Sequence, residues 1–397
     1  MIDVIWRKED NMEMRDLYTI DGPLKEKLTA IIDGIKAIDE NAMEEAKQRQ
    51  LYLAKPPGSL GKLEDISVQL AGITGKVTGN KIEKKAILVM SGDNGIVEEG
   101  VAVAPQSVTK MQTINMTRGI TGVGAMAKGM NIDLLVTDVG VKEPIDSALY
   151  TDQMERDGRL ASKIVYRKIR AGSRNFHVEN ALTEEEVLTA LLVGCEASFA
   201  AKKAGIDVIG IGEMGIGNST TSAVILGALL EQEADKVTGR GGGLNDQGLA
   251  KKLAVIDEGI RKQRGNDPLT VLQAFGGLEM CAMAGAFIGG AAAGMPVVID
   301  GFISMVAALV ASRLAPESRN YMFASHKSFE KGYEMGIDAL GLQPMFHLDM
   351  RLGEGTGCPM AFSVLEASCA VMNNMKTFGE GSIDDGYLEE IREGNLF

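Results

Sequence analysis

The stretch DVIGIGEMGIGNSTTSAVILGALL, residues 207–230, runs from an apolar segment through a glycine-dense turn into a helix pattern. Gly210, Gly212 and Gly215 spell G-x-G-x-x-G, the spacing of a dinucleotide-binding turn. Such a turn should open a βαβ unit whose second strand ends in a ribose-binding acid roughly 20 residues on. Here the helix pattern gives way to EADKVTGRGGGLND, residues 233–246, which is no buried strand. Glu213 also lies inside the turn, where it would repel a pyrophosphate. The stretch reads instead as a strand followed by an anion cradle. Gly215, Gly217 and Asn218 sit at a helix N-terminus whose free N–H groups suit a single phosphate, with Glu213 facing another part of the ligand. The alternative is a tight strand-to-helix turn with Glu213 in solvent.

Working outward, further apolar runs punctuate the chain: AILVMS (86–91), IDLLVTDVGV (132–141), KIVYRKI (163–169), GIDVIGIG (205–212), MPVVIDGF (295–302) and YMFAS (321–325). Near-continuous apolar runs mark strands buried on both faces, and helix-length segments separate them. The pattern predicts an α/β fold: a doubly wound, mostly parallel sheet with helices on both faces. Such sheets bind ligands beyond the carboxyl ends of their strands, where the glycine turns fall. Leu24, Leu28, Ile31, Ile35 and Ile38 keep helical spacing behind Pro23, so one long helix is expected over 23–53. KPPGSLGKLED (55–65) breaks it and sets a boundary.

Of the 397 residues, 45% are hydrophobic, 24% charged and 5% aromatic, with 48 glycines. That is globular composition, enough for one large or two modest domains. A net charge of −13 without a basic stripe argues against nucleic acid as a partner. Cys195, Cys281, Cys358 and Cys369 are dispersed and the three histidines stand apart. This fits reduced thiols in a cytoplasmic protein and no structural zinc. The uncharged stretch 280–299 is interrupted at Gly294-Met295-Pro296 and followed by Asp300. It reads as a buried helix and strand, not a membrane span. The mixed, charged N-terminus does not read as a signal peptide.

Three more segments carry chemistry. GRGGGLNDQGLAKKLAVI (239–256) sets Gly241, Gly242 and Gly243 ahead of a helix bearing Lys251 and Lys252; N–H groups plus a lysine make a phosphate clamp. In MRLGEGTGCPMAF (350–362), Glu354 stands between Gly353 and Gly355, with Thr356 behind. On a rigid turn beside Leu352 it is shielded from water and placed to accept a proton. Gly353, Gly355 and Thr356 join the nucleotide-binding set. FASHKSFEKG (323–332) offers Ser328 as a phosphate contact and leaves His326 as a loop residue. Leu352 and Met214 can wall an apolar slot for an aromatic ring.

Taken in order over roughly 55–380, several segments resemble the nicotinate-nucleotide–dimethylbenzimidazole phosphoribosyltransferase family. They are KPPGSLGKLE, SGDNGIVEEGVAVAPQSVTKMQ, DVGV, GIGEMGIGNSTTSA, GRGGGLNDQGLAKKLAVI, GGLEMCAMAGAFIGGAAAGMPVVIDGFISMVAALVA and LGLQPMFHLDMRLGEGTGCPMAF. Residues 1–20 lie outside the match. The resemblance implies small-molecule substrates: phosphoribose passes from nicotinate mononucleotide to 5,6-dimethylbenzimidazole or a related base, yielding α-ribazole 5′-phosphate and nicotinate in cobamide synthesis. It implies Glu354 as general base, Glu213 as a second catalytic carboxylate, Gln112 in the base pocket, and phosphate contacts at Gly215, Gly242, Lys252 and Ser328. A pocket serine of the family falls on Ala104, so one polar contact is lost. A family histidine falls on Asn94, a change at the pocket edge. The resemblance further implies a large α/β domain over 61–354, a small helical domain from 1–60 and 355–397, and a homodimer. No metal or cofactor is expected, since pyrophosphate is not the leaving group.

Two other readings compete. An NAD-type oxidoreductase would rest on Gly210, Gly212 and Gly215 but lacks its second strand. A non-catalytic nucleotide-binding subunit would have no need of Glu354 on its glycine turn.

Overall fold

A computed structural model describes residues 22–263, 265–389 and 392; the expectation for residues 1–20 lies outside these, as do the ends of the ranges assigned to the small domain. The strands are β1 Lys85–Gly92, β2 Asp133–Gly140, β3 Tyr150–Thr151, β4 Glu155–Arg156, β5 Arg159–Leu160, β6 Ile164–Tyr166, β7 Val208–Met214, β8 Val297–Ile299 and β9 Met322–Ala324. β4 and β5 form an antiparallel hairpin. The other seven make one parallel sheet in the order β3-β6-β2-β1-β7-β8-β9. Every apolar run singled out in the sequence contributes a strand to it. From β1 the sheet grows one way through β2 and the other through β7, so β1 and β7 flank the switch point where such sheets open a ligand crevice.

Along β1, Ala86, Leu88 and Met90 enter one core cluster while Ile87 and Val89 enter another, the alternation that a pleat imposes. Helices Glu184–Lys203, Leu278–Ala292 and Phe302–Leu314 cover the first face; Lys62–Thr74 and Cys358–Asn374 cover the second. Thr183 and Glu186 start Glu184–Lys203 with a reciprocal capping box. Its partner, Leu278–Ala292, is the Ala- and Gly-rich stretch. A Cβ on Gly285 would lie 1.9 Å from Leu191 O, and one on Gly194 1.8 Å from Ala282 O. Small residues there let two backbones touch, and Ser198 Oγ donates to Ala286 O at 2.7 Å across the contact. Stretch 280–299 is therefore a buried helix and strand, and no described helix is long and apolar enough to cross a membrane.

The single helix expected over 23–53 is two helices, Leu24–Asp33 and Glu40–Tyr52. Gly34 closes the first, and the Asp39 side chain caps the second by accepting from Ala42 N–H. The two halves also pack differently. Leu28, Ile31 and Ile35 join the main core, whereas Ala42, Ala46 and Leu53 pack with Val68, Ala71 and Met372. A bridge from Leu53 to Thr377 ties the two chain ends together there.

Candidate active site

Gly210 and Gly212 lie inside β7, not in a turn. A Cβ on Gly212 would stand 2.3 Å from Glu354 O, and one on Gly210 2.5 Å from Cys358 Cβ. One on Gly215 would stand 2.3 Å from Gly92 O. The glycine spacing is thus the footprint of neighbouring chain laid directly on the strand and its exit. The helix after it runs into the short helix Ala234–Val237, and the next strand in sequence is β8, so the dinucleotide reading fails.

Segment 353–357 is a left-handed turn: φ is 87° at Gly353, 62° at Glu354 and 100° at Gly355. The non-glycine in the middle is strained. Two carboxylates hold it. Glu354 N–H donates to Glu213 Oε1 at 3.1 Å. Gly355 N–H donates to Asp300 Oδ2 at 3.0 Å and Gly357 N–H to Asp300 Oδ1 at 2.6 Å. Glu354 Oε2 accepts from Val123 N–H at 2.9 Å, in the first turn of helix Gly122–Gly129, whose dipole favours an anion. Glu354 is 5% exposed. Its shelter comes from these contacts and not from Leu352, which is 62% exposed; that part of the expectation is corrected.

Glu213 Oε2 also accepts from Asn218 Nδ2 at 2.5 Å, so this one carboxyl joins the cradle turn to the Glu354 turn. Burial pushes Glu213 up to about 7 and Asp300 up to about 7. Beneath Gly215, Glu279 is pushed by burial to about 8. Its Oε1 accepts from Asn94 Nδ2 at 2.6 Å, while Asn94 Oδ1 accepts from Thr221 Oγ1 at 2.8 Å. Asn94 is fully buried under the cradle, so the expected place at the pocket edge is wrong: its side chain props the floor.

A cleft of about 350 Å³ opens at these strand ends. Gln112, Ala104, Met214 and Leu352 line it, and so do Gly215, Gly217, Asn218, Gly242, Ser328, Gly353 and Glu354. Val101, Val103 and Val108 extend the apolar wall beside Ala104. Gly355 and Thr356 lie buried behind the lining. Lys252 lies just beneath the surface, donating from Nζ to Ser219 Oγ at 3.1 Å next to Gly241. Burial pushes its ammonium down to about 8.

Sequence reasoning missed Asp300, Ser219, Arg240, Glu330 and Arg351, all in the cleft wall. His326, read as a loop residue, does lie in the loop after β9, but buried in that wall with Nδ1 3.1 Å from Ser325 Oγ and pushed down to about 4 by burial. For Asp300 a signal existed: it ends the apolar run MPVVI, at the carboxyl edge of a parallel strand.

The pattern of a family described as Phosphoribosyltransferase matches residues 35–383. A protein of Clostridium perfringens named nicotinate-nucleotide–dimethylbenzimidazole phosphoribosyltransferase is 47% identical over 93% of this chain and 99% of its own length. The chain belongs to this phosphoribosyltransferase family. A Clostridium tetani relative of the same name is 40% identical over 90% of this chain and 96% of its own. Among solved structures, CobT from Thermus thermophilus superposes with a TM-score of 0.81 at 35% identity, covering 87% of this chain and all of that one. The parallel α/β sheet is therefore the fold of phosphoribosyltransferases of this family as well as the reading of the apolar runs.

Proposed function

We propose that the chain transfers the phosphoribosyl group of nicotinate mononucleotide to 5,6-dimethylbenzimidazole or a related base, with inversion at C1′ and Glu354 as general base. The carrying observation is the buried Glu354 carboxylate on a braced left-handed turn at the cleft. The C1′–nitrogen bond to the pyridinium breaks and its electron pair stays on that nitrogen, so nicotinate leaves with a neutral ring and needs no acid. A benzimidazole nitrogen attacks C1′ from the opposite face, turning β into α. Positive charge on the attacking ring acidifies its remaining N–H, and Glu354 takes that proton. General-base assistance is worth about 10²–10⁴-fold; positioning base and C1′ in line supplies more.

Lys252 with Ser219, the Gly241–Gly242 turn and Ser328 suits the 5′-phosphate. Glu213, ionised, would stabilise positive charge on the ribose. Met214, Leu352 and the valines beside Ala104 suit a flat apolar ring, with Gln112 as a polar contact. The same reading pairs the two chain ends in a small domain beside a large one, in a cytoplasmic homodimer; the bounds 1–60 and 355–397 are too wide for it, since helix Leu24–Asp33 packs into the main core and helix Cys358–Asn374 lies along the sheet. The packing of Ala42, Ala46 and Leu53 on Met372 supports the pairing of chain ends.

The test is chromatography of nicotinate mononucleotide incubated with the protein and a panel of benzimidazoles, purines and phenols. Nicotinate should appear only when a base is present. Glu354→Gln should nearly abolish its release while nucleotide binding stays measurable; undiminished turnover rejects the general base.

A further inference from the structure

We infer that Asp300 is a positioning residue for the Glu354 base, acting through the backbone of the turn that carries it. The inference rests on Glu354 being that base. Asp300 is 2% exposed, at the carboxyl end of β8. Its two carboxylate oxygens are divided between Gly355 N–H and Gly357 N–H. One of these bonds falls on the residue next to Glu354 and the other two residues further on, so they grip the left-handed turn itself as well as the start of helix Cys358–Asn374. Asp300 is in turn held at its own backbone: its N–H donates to Ser304 Oγ at 3.2 Å, and its carbonyl accepts from Ser325 Oγ at 2.8 Å. The turn is therefore referenced to the rigid sheet through a side chain without rotational slack.

Space at the grip is filled as well. A Cβ on Gly357 would lie 2.3 Å from His326 Nδ1, 2.5 Å from Ser325 Oγ and 2.9 Å from Asp300 Oδ1. Nothing larger than glycine lets the carboxylate reach both donors. Glu213 holds only one N–H of the turn, that of Glu354. Without Asp300 the turn keeps that bond, its internal bonds from Thr356 to Gly353 O and the Val123 N–H on the Glu354 side chain. Among the described residues, however, no hydrogen bond then ties Gly355 and Gly357 to the sheet, and the strained backbone can relax. Relaxation by even about 1 Å moves the base off the azole proton.

Asp300→Asn keeps the shape but turns one acceptor into a donor facing an N–H, breaking one of the two bonds. In the nicotinate-release assay kcat should fall about 10²-fold, the usual cost of a 1 Å misplacement, with KM for both substrates unchanged. In a Glu354→Gln background the same substitution should be silent, because the group it positions is gone. Gly357→Ala, which crowds Oδ1 from the other partner, should reproduce both results and carries the test if Asp300→Asn does not fold. An unchanged kcat in a folded variant overturns the inference. So does an equal loss in the Glu354→Gln background, which would mark a merely structural role. Wild-type protein that releases no nicotinate would instead reject the proposed function, a separate failure.

Discussion

Replacing Gly212 by alanine probes the contact that decides the opening motif. The added methyl would sit 2.3 Å from Glu354 O, 2.8 Å from Glu354 C and 3.1 Å from Gly355 Cα. The first distance is about 1 Å short of ordinary carbon–oxygen contact. All three atoms are backbone, so no side chain can swing aside. Either the turn lifts off β7 or the strand shifts, and β7 is hydrogen-bonded on both edges to β1 and β8. The turn is the softer partner and should rise by most of that distance, carrying Glu354 with it. Overpacking of this kind costs about 1–3 kcal/mol of stability, and displacement of a base by about 1 Å costs about 10²-fold in rate. Gly290→Ala is the control. Its methyl would press on Val297 Cγ2 at 2.5 Å and Ile209 Cδ1 at 3.0 Å, in the core away from the cleft. Urea unfolding should show both variants weakened, while nicotinate release should show a fallen kcat in Gly212→Ala alone. A folded Gly212→Ala enzyme with wild-type kcat would refute the claim that Gly212 is there to seat the Glu354 turn.

Two predictions concern ionisation. With Lys252 held at about 8, a large share of empty sites carry a neutral amine at pH 8, and a phosphate docking against it draws a proton in. Calorimetry at pH 8 should show proton uptake as a buffer-dependent binding enthalpy for nicotinate mononucleotide, abolished in Lys252→Met; equal enthalpies in all buffers would remove Lys252 from the phosphate site. Glu279 is raised from 4.5 to about 8 by burial. Below pH 4.5 it is protonated folded or unfolded; as pH climbs toward 8 the unfolded chain ionises first, so stability is lost across that window. Glu279→Gln should lessen the fall in urea midpoint between those limits without erasing it, since Glu213 and Asp300 are shifted in the same direction. An identical fall would show that Glu279 is not buried as a neutral acid.

What the sequence reveals here follows the range over which each signal acts. Strand runs such as AILVMS are local and readable; β3, two residues at the sheet edge, has no run to read. The spacing from Leu24 to Ile38 stays apolar through the break at Gly34 because Ile35 and Ile38 still face inward after the helix has ended. Gly34 and Asp39 carry stop and start signals that the periodicity overrides. At the site, flanking glycines mark Glu354, since a left-handed turn needs them within one residue. What holds the turn is distant: Asp300 is 55 residues from Gly355, and Glu213 is 141 from Glu354. The same three glycines therefore fit either a pyrophosphate turn or a strand pressed by neighbouring chain, and only the pressing atoms choose between them. The consequence for the chemistry is that a strained carboxylate has little capacity to position itself. Transplanting the Glu354 turn onto another sheet without Asp300 and Glu213 would reproduce its sequence and lose its geometry.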